Sequence, residues 1–187
     1  MFNKTRIYSL IILLLLMSVL VTGVALAQGG LPHFVPREIE NFPSALESYI
    51  SPSAQNDSMG ISALEQQVGF SILLPTNLPS GCHLRGTSYD SVGNAARLHY
   101  SCATIIERKA THIDHPLVAP HSTHQVLVGG EPALVIDGMW EDQPNGRTTW
   151  SLDLKTLGFE RSGLVIRMVS GQDASEDQLI EIAKSMK

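Results

Sequence analysis

The clearest periodicity in this chain lies in "AARLHYSC", residues 95–102, where apolar and polar positions alternate. Ala96, Leu98, Tyr100 and Cys102 fall on one side of an extended strand; Ala95, Arg97, His99 and Ser101 fall on the other. That is the pattern of a half-buried strand. Residues 82–89 make a weaker partner, with Cys82, Leu84 and Gly86 on one side, and "DSVGN" between them has a hairpin-loop composition. A hairpin centred on Val92 sets Cys82 opposite Cys102, Leu84 opposite Tyr100 and Gly86 opposite Leu98, all on one face. On the other face Arg85 then meets His99 and Thr87 meets Arg97. The register that joins the cysteines also gathers the apolar side chains.

Further along, "ATIIERKA" extends or follows the second strand. "HQVLV-GG-EPALVID" reads as a hairpin with Gly129-Gly130 at its tip, and Pro132 predicts that its second strand starts at an edge. "MWEDQPNGR" reads as a loop. "TTWSLDLKT" alternates with Thr148, Trp150, Leu152 and Leu154 on one face, "GFERSG" turns the chain, and "LVIRMVS" returns with Leu164, Ile166 and Met168 together.

Helical signals flank the strands. "SALEQQVGF" predicts a short helix, with Ser62 as N-cap, Glu65 at the capping-box spacing and Gly69 at the end. "FSILLP" follows as a strand-like run stopped by Pro75. At the C-terminus Ser175 caps, Gln178 completes a second capping box, and Glu176 and Asp177 suit the positive helix end. Leu179, Ala183 and Met186 then line one face, flanked by Ile180 and Ile182, and that face must pack on something. The predicted fold class is α+β: a curved antiparallel sheet of hairpins packed by a short N-terminal and a C-terminal helix.

The N-terminus has a different character. Lys4 and Arg6 precede an almost wholly apolar stretch from Ile7 to Val24, followed by Ala25-Leu26-Ala27. This tripartite order predicts a signal peptide over residues 1–27 and a secreted or extracytoplasmic protein. The alternative is an uncleaved signal that anchors the chain in the membrane, since the stretch approaches spanning length. Residues 28–60 carry Pro32, Pro36, Pro43 and Pro52 and read as a linker or approach segment, with a short helix over 45–50 the only element suggested. The α+β domain is then expected over 61–187.

The charge balance is 13 Lys and Arg against 18 Asp and Glu, and the signal segment holds two of the cations. An acidic remainder with singly scattered basic residues is a poor candidate for binding nucleic acid or anionic lipid. In an oxidising compartment Cys82 and Cys102 are expected to form a disulfide that clamps the hairpin base, contributing about 3 kcal/mol through loop closure. A redox role is disfavoured, because the spacing is long and the neighbours are ordinary.

The stretches "ALEQQVGFSILLPTNLPSG", "GGEPALV" before a Trp loop at Met139-Trp140-Glu141, and the ending "LIEIAKSMK" together resemble an uncharacterised bacterial extracytoplasmic domain family. Its members often lie C-terminal to anti-sigma-factor-like segments. The resemblance covers about residues 61–187. It implies a layout distantly similar to periplasmic lipoprotein-carrier and sigma-regulator sensor domains, and it supplies no catalytic residues. Where the tethered members carry an anti-sigma part, this chain is expected to carry a signal.

Three constellations have chemical potential. His112, His115, His121 and His124 follow the pattern H-x2-H-x5-H-x2-H, with Asp114 among them, and a loop of imidazoles can hold Zn²⁺. The plain alternative is a solvated or pH-sensitive loop. Glu141-Asp142 beside Trp140 suggests a sugar site, because paired carboxylates run glycoside hydrolysis, though adjacent loop acids more often make a solvated turn. Trp140, Leu152, Leu154, Ile166 and Met168 would line an apolar groove for an acyl chain or peptide, or else form plain core. No G-x-S-x-G elbow, P-loop or dinucleotide fingerprint occurs. The sequence therefore favours an exported, non-enzymatic binding or sensor-like domain without a cofactor, with an unknown protein, peptide or lipid partner. A metal-binding protein using loop 111–124 is the alternative, and a hydrolase is the least favoured reading.

Overall fold

A computed structural model describes residues 31–41, 59–111, 113–143, 147–170 and 174–187. The signal segment 1–27, the suggested helix over 45–50, most of the approach segment and His112 lie outside the described residues. Within them the α+β class is realised as an open, seven-stranded antiparallel sheet with two helices. Among the described residues no helix is long and apolar enough to cross a membrane.

The strands are β1 (Arg37–Glu38), β2 (Leu84–Asp90), β3 (Ala95–Tyr100), β4 (Ala103–Lys109), β5 (Leu117–Val118), β6 (Thr123–Val128), β7 (Glu131–Asp142), β8 (Thr148–Arg161) and β9 (Leu164–Ser170). The helices are α1 (Ile61–Val68) and α2 (Glu176–Lys184). The large sheet runs β2-β3-β4-β9-β8-β7-β6, and β1 pairs in parallel with β5 as a separate ribbon. "ATIIERKA" is thus a strand of its own, turned back antiparallel against β3.

One face of the sheet carries the main core. Leu98, Ile105, Leu157, Phe159, Ile166 and Met168 point into it and meet Leu64 and Val68 of α1 and Leu179, Ile182 and Ala183 of α2. The capping box on α2 forms as read: the Ser175 hydroxyl accepts from the Gln178 amide while the Gln178 side chain accepts from the Ser175 amide. On α1 the expectation fails. The helix begins two residues earlier than a Ser62 cap would place it, with Gly60 at the cap, so Ser62 lies inside the first turn and caps nothing. Glu65 instead accepts from the Ile72 amide. Gly69 does end the helix in the left-handed conformation, at φ 71°. "FSILLP" is not a strand; it crosses the open end of α2, and Leu74 exchanges backbone hydrogen bonds with Lys187.

The second face is covered by the chain's own N-terminal stretch. Residues 31–41, read from sequence as connecting segment, lie on the sheet. Phe34 is 2% exposed and packs with Val118, Ile136 and Val165. Its ring sits where a Cβ on Gly158 would come within 2.3 Å, so β8 needs glycine there to admit the aromatic. Val35, Arg37 and Ile39 donate to the carbonyls of Asp114, Pro116 and Val118, which makes β1, β5 and their flanks a two-stranded strap.

Four strand details differ from the sequence reading. In the β2–β3 hairpin Leu84 opposes Tyr100 as expected, but a bulge at Arg85 shifts the register, so Gly86 meets His99 and Thr87 meets Leu98. Pro132 does not mark an edge: β7 lies between β6 and β8. Its missing N–H is tolerated because pairing to β8 starts one residue later, at Ala133. Met139–Asp142 are not loop but the far end of β7, paired with Thr148–Ser151. "GFER" belongs to β8, and Ser162-Gly163 alone makes the turn.

Candidate functional site

The outer face of the sheet, beside the strap, holds a charged depression. Arg97 on β3, Ile106 on β4 and Arg167 on β9 are direct cross-strand neighbours and form one row, so their side chains rise from the same face. Gly158, with Phe34 over it, is the next position in that row. Arg108 stands two residues along β4 and opposes Val165. Asp90, at the end of β2, and Asp114, in the strap loop, complete the surround. All of these but Gly158 and Phe34, together with Gly93 and Ala95, line a cavity of about 60 Å³. That is room for roughly four to six waters.

The ion pairs within it are uneven. Arg97 Nη2 lies 2.5 Å from Asp90 Oδ2, and Arg108 Nη2 lies 3.1 Å from Asp114 Oδ1. Arg167 Nη1 is 3.9 Å from Asp114 Oδ2, at the limit of an ion pair. Arg167 Nε is shut off from solvent and has no hydrogen-bond partner among the described residues; Arg108 Nη2 makes its ion pair without hydrogen-bond geometry. Burial lowers the pKa of Arg167; Asp114 opposes this, while Arg97 and Arg108 add to it. Burial would raise the Asp90 carboxyl, but Arg97 and the amides of Gly93 and Val92 outweigh it and hold it below the usual range. His99, on the same face, is lowered by burial and by Arg97, and its Nε2 lies 3.0 Å from Ser88 Oγ.

The residues singled out from sequence are placed differently from one another. Cys82 and Cys102 form the disulfide, 5.4 Å apart at Cα, just beyond the ends of β2 and β3. The three described histidines of the proposed metal set do not converge. His115 Nδ1 meets the Val35 carbonyl at 3.0 Å, and the His121 backbone amide donates to Glu38. His124 on β6 lies between two acids, with Nδ1 3.1 Å from Asp137 and Nε2 3.2 Å from Glu176. This trio is the one group of at least three metal-capable side chains among the described residues. The two acids meet opposite ring nitrogens, and Lys155 pairs with Asp137 and reaches Glu176 at 4.0 Å. The arrangement reads as a salt-bridged latch between α2 and the sheet.

The expected groove residues do not form one wall. Ile166 and Met168 are sealed in the core under the helices. Leu152 is 73% exposed, because Leu152–Leu154 bulge out opposite the single residue Gly138. Trp140 is buried edge-on against Trp150, with ring centroids 5.3 Å apart, and Glu141 and Asp142 pair along the β7–β8 ladder.

One buried acid escaped the sequence reading. Glu107 on β4 is 0% exposed on the helix-covered face. Its Oε2 accepts from the Leu73 amide at 3.0 Å, and its Oε1 has no hydrogen-bond partner among the described residues. Burial pushes its pKa up to about 8, against the Leu73 hydrogen bond and with help from Glu65. Its position, opposite Ala96 and Ile166 in the ladder, offers no approach to a ligand. No family model, curated protein or solved structure matches this chain.

Proposed function

We propose that the chain is an exported, non-enzymatic binding or sensor-like domain, and that its recognition site is the arginine-lined depression. The observation that carries this reading is the row of Arg97 and Arg167 flanking Ile106, with Arg108 alongside and guanidinium nitrogens left without hydrogen bonds. Three like charges held together over a buried floor cost stability unless anions answer them, and the two aspartates answer only two. The inner face is filled by core side chains, so an acyl-chain groove has no support there. The disulfide agrees with an oxidising compartment. The resemblance to extracytoplasmic sensor-like domains points the same way.

Thermal unfolding of the oxidised protein tests the reading. Sodium chloride, acetate, phosphate and sulfate are compared at one ionic strength, with zinc chloride as a separate arm. At least one oxyanion is expected to raise the midpoint by a few degrees beyond chloride through preferential binding to the folded state. Indifference to every anion, or a rise with zinc alone, would overturn it.

A further inference from the structure

We infer that the depression is built for a ligand bearing a single carboxylate, gripped by Arg167 and oriented by an alkyl portion lying on Ile106 and Val165. The inference rests on the binding role proposed above and names its ligand class.

Charge comes first. Arg97, Arg108 and Arg167 face Asp90 and Asp114, which leaves one positive charge in excess. A monoanion neutralises it. A phosphate dianion would overshoot and would have to lie against Asp114.

Donor geometry comes second. Arg97 is committed to Asp90, and Arg108 to Asp114. Arg167 makes only the 3.9 Å contact to Asp114, and its Nε has no hydrogen-bond partner among the described residues. That Nε is closed off from solvent, so a ligand meets the two terminal nitrogens, whose planar fork matches the two oxygens of a carboxylate. The floor comes third. Ala95, Ile106 and Val165 line the same cavity and are 2%, 8% and 1% exposed. Such a floor favours an organic acid with a short apolar portion over an inorganic ion. The cavity of about 60 Å³ suits a carboxylate with a few attached carbons.

Two sources supply this chemistry: the C-terminus of a peptide and a free small acid. Binding to the oxidised protein is measured by calorimetry and by nuclear magnetic resonance of the arginine Nε–H signals. The probes are an acetylated tripeptide with a free C-terminus, its C-terminal amide, propionate, phosphate and sulfate, all at one ionic strength. The acid peptide or propionate is expected to bind and to move the Arg167 Nε–H signal, with the amide at least tenfold weaker than the acid. A peptide acid at least tenfold tighter than propionate assigns the peptide end; equal affinities assign the small acid. Arg167→Lys keeps the charge but loses the fork, and is expected to weaken binding at least tenfold. Should that variant not fold, Asp114→Asn is the second: it removes a competing anion and is expected to tighten carboxylate binding several-fold. Weaker binding by a folded Asp114→Asn overturns the inference. Equal binding of acid and amide, or tighter binding of phosphate or sulfate, overturns the carboxylate while leaving the depression a binding site. No binding of any probe overturns both readings.

Discussion

The two faces of the sheet are covered by different means. One is roofed by α1 and α2, and its contacts are mostly apolar, with Glu107 the one acid buried there among the described residues. The other is crossed by a strap of two short strands, with a small apolar cluster around Phe34 and a charged depression at its side. Phe159 and Phe34 represent the two faces, at 1% and 2% exposed. Equal burial does not mean equal weight. Phe159 belongs to a β-strand hydrogen-bonded on both sides, whereas Phe34 belongs to a segment that can lift without unpairing the sheet. The helix-covered face therefore holds the fold, and the strap-covered face is free to carry chemistry.

The largest expected effect tests that division directly. Phe159→Ala is expected to cost about 3–5 kcal/mol in urea unfolding. Phe34→Ala is expected to cost less than half as much, and to speed hydrogen exchange at Val35, Arg37 and Ile39 while the central strands stay protected. Equal costs would break the comparison. Next comes the clamp: replacing Cys82 and Cys102 together by Ser is expected to cost about 3 kcal/mol through the larger freedom of the unfolded chain.

The third expectation concerns the buried acid. With its folded pKa raised from 4.5 to about 8, Glu107 stays protonated in the folded state while the unfolded chain loses the proton. Stability is thus full at low pH, falls as pH rises by up to about 1.4 kcal/mol per unit, and levels off above the folded pKa. Glu107→Gln is expected to flatten that slope, read as urea midpoints at pH 5 and pH 7; an unchanged slope would place its origin elsewhere. The smallest effect is Leu152→Ser, which touches an outward bulge and is expected to stay within about 0.5 kcal/mol in the same assay. A larger loss would mean that this exposed leucine is packed against something in solution.

Much of the helix-covered face was legible because its signals are local. The alternation over 95–102, the inward set Leu164, Ile166 and Met168, and the Ser175–Gln178 box each act within a few residues. The bulges at Arg85 and opposite Gly138 were not legible, because a register slip depends on what both strands must satisfy at once. The arginine depression was hidden for another reason. Arg97 falls on the polar side of the 95–102 alternation, but nothing local shows that β9 inserts between β4 and β8 and brings Arg167 into the same row. The near-continuous apolar run of "LVIRMVS" was the available hint, since it marks a strand covered on both sides. The separate partners of His115, His121 and His124 were not legible, because spacing in a Pro-rich loop says little about where side chains end up.

The strand order also dictates when the depression can exist. β2-β3-β4 and β6-β7-β8-β9 are each built from sequential neighbours, so each half can zip through short-range turns. Only the β4–β9 ladder joins them, pairing Ala103 with Ser170 and Lys109 with Leu164. Closing that long loop is the slow, entropically costly step expected of distant pairings. Arg97 and Arg108 ride on the first half and Arg167 on the second, so their mutual repulsion is met late, at the very seam whose closure completes the molecule.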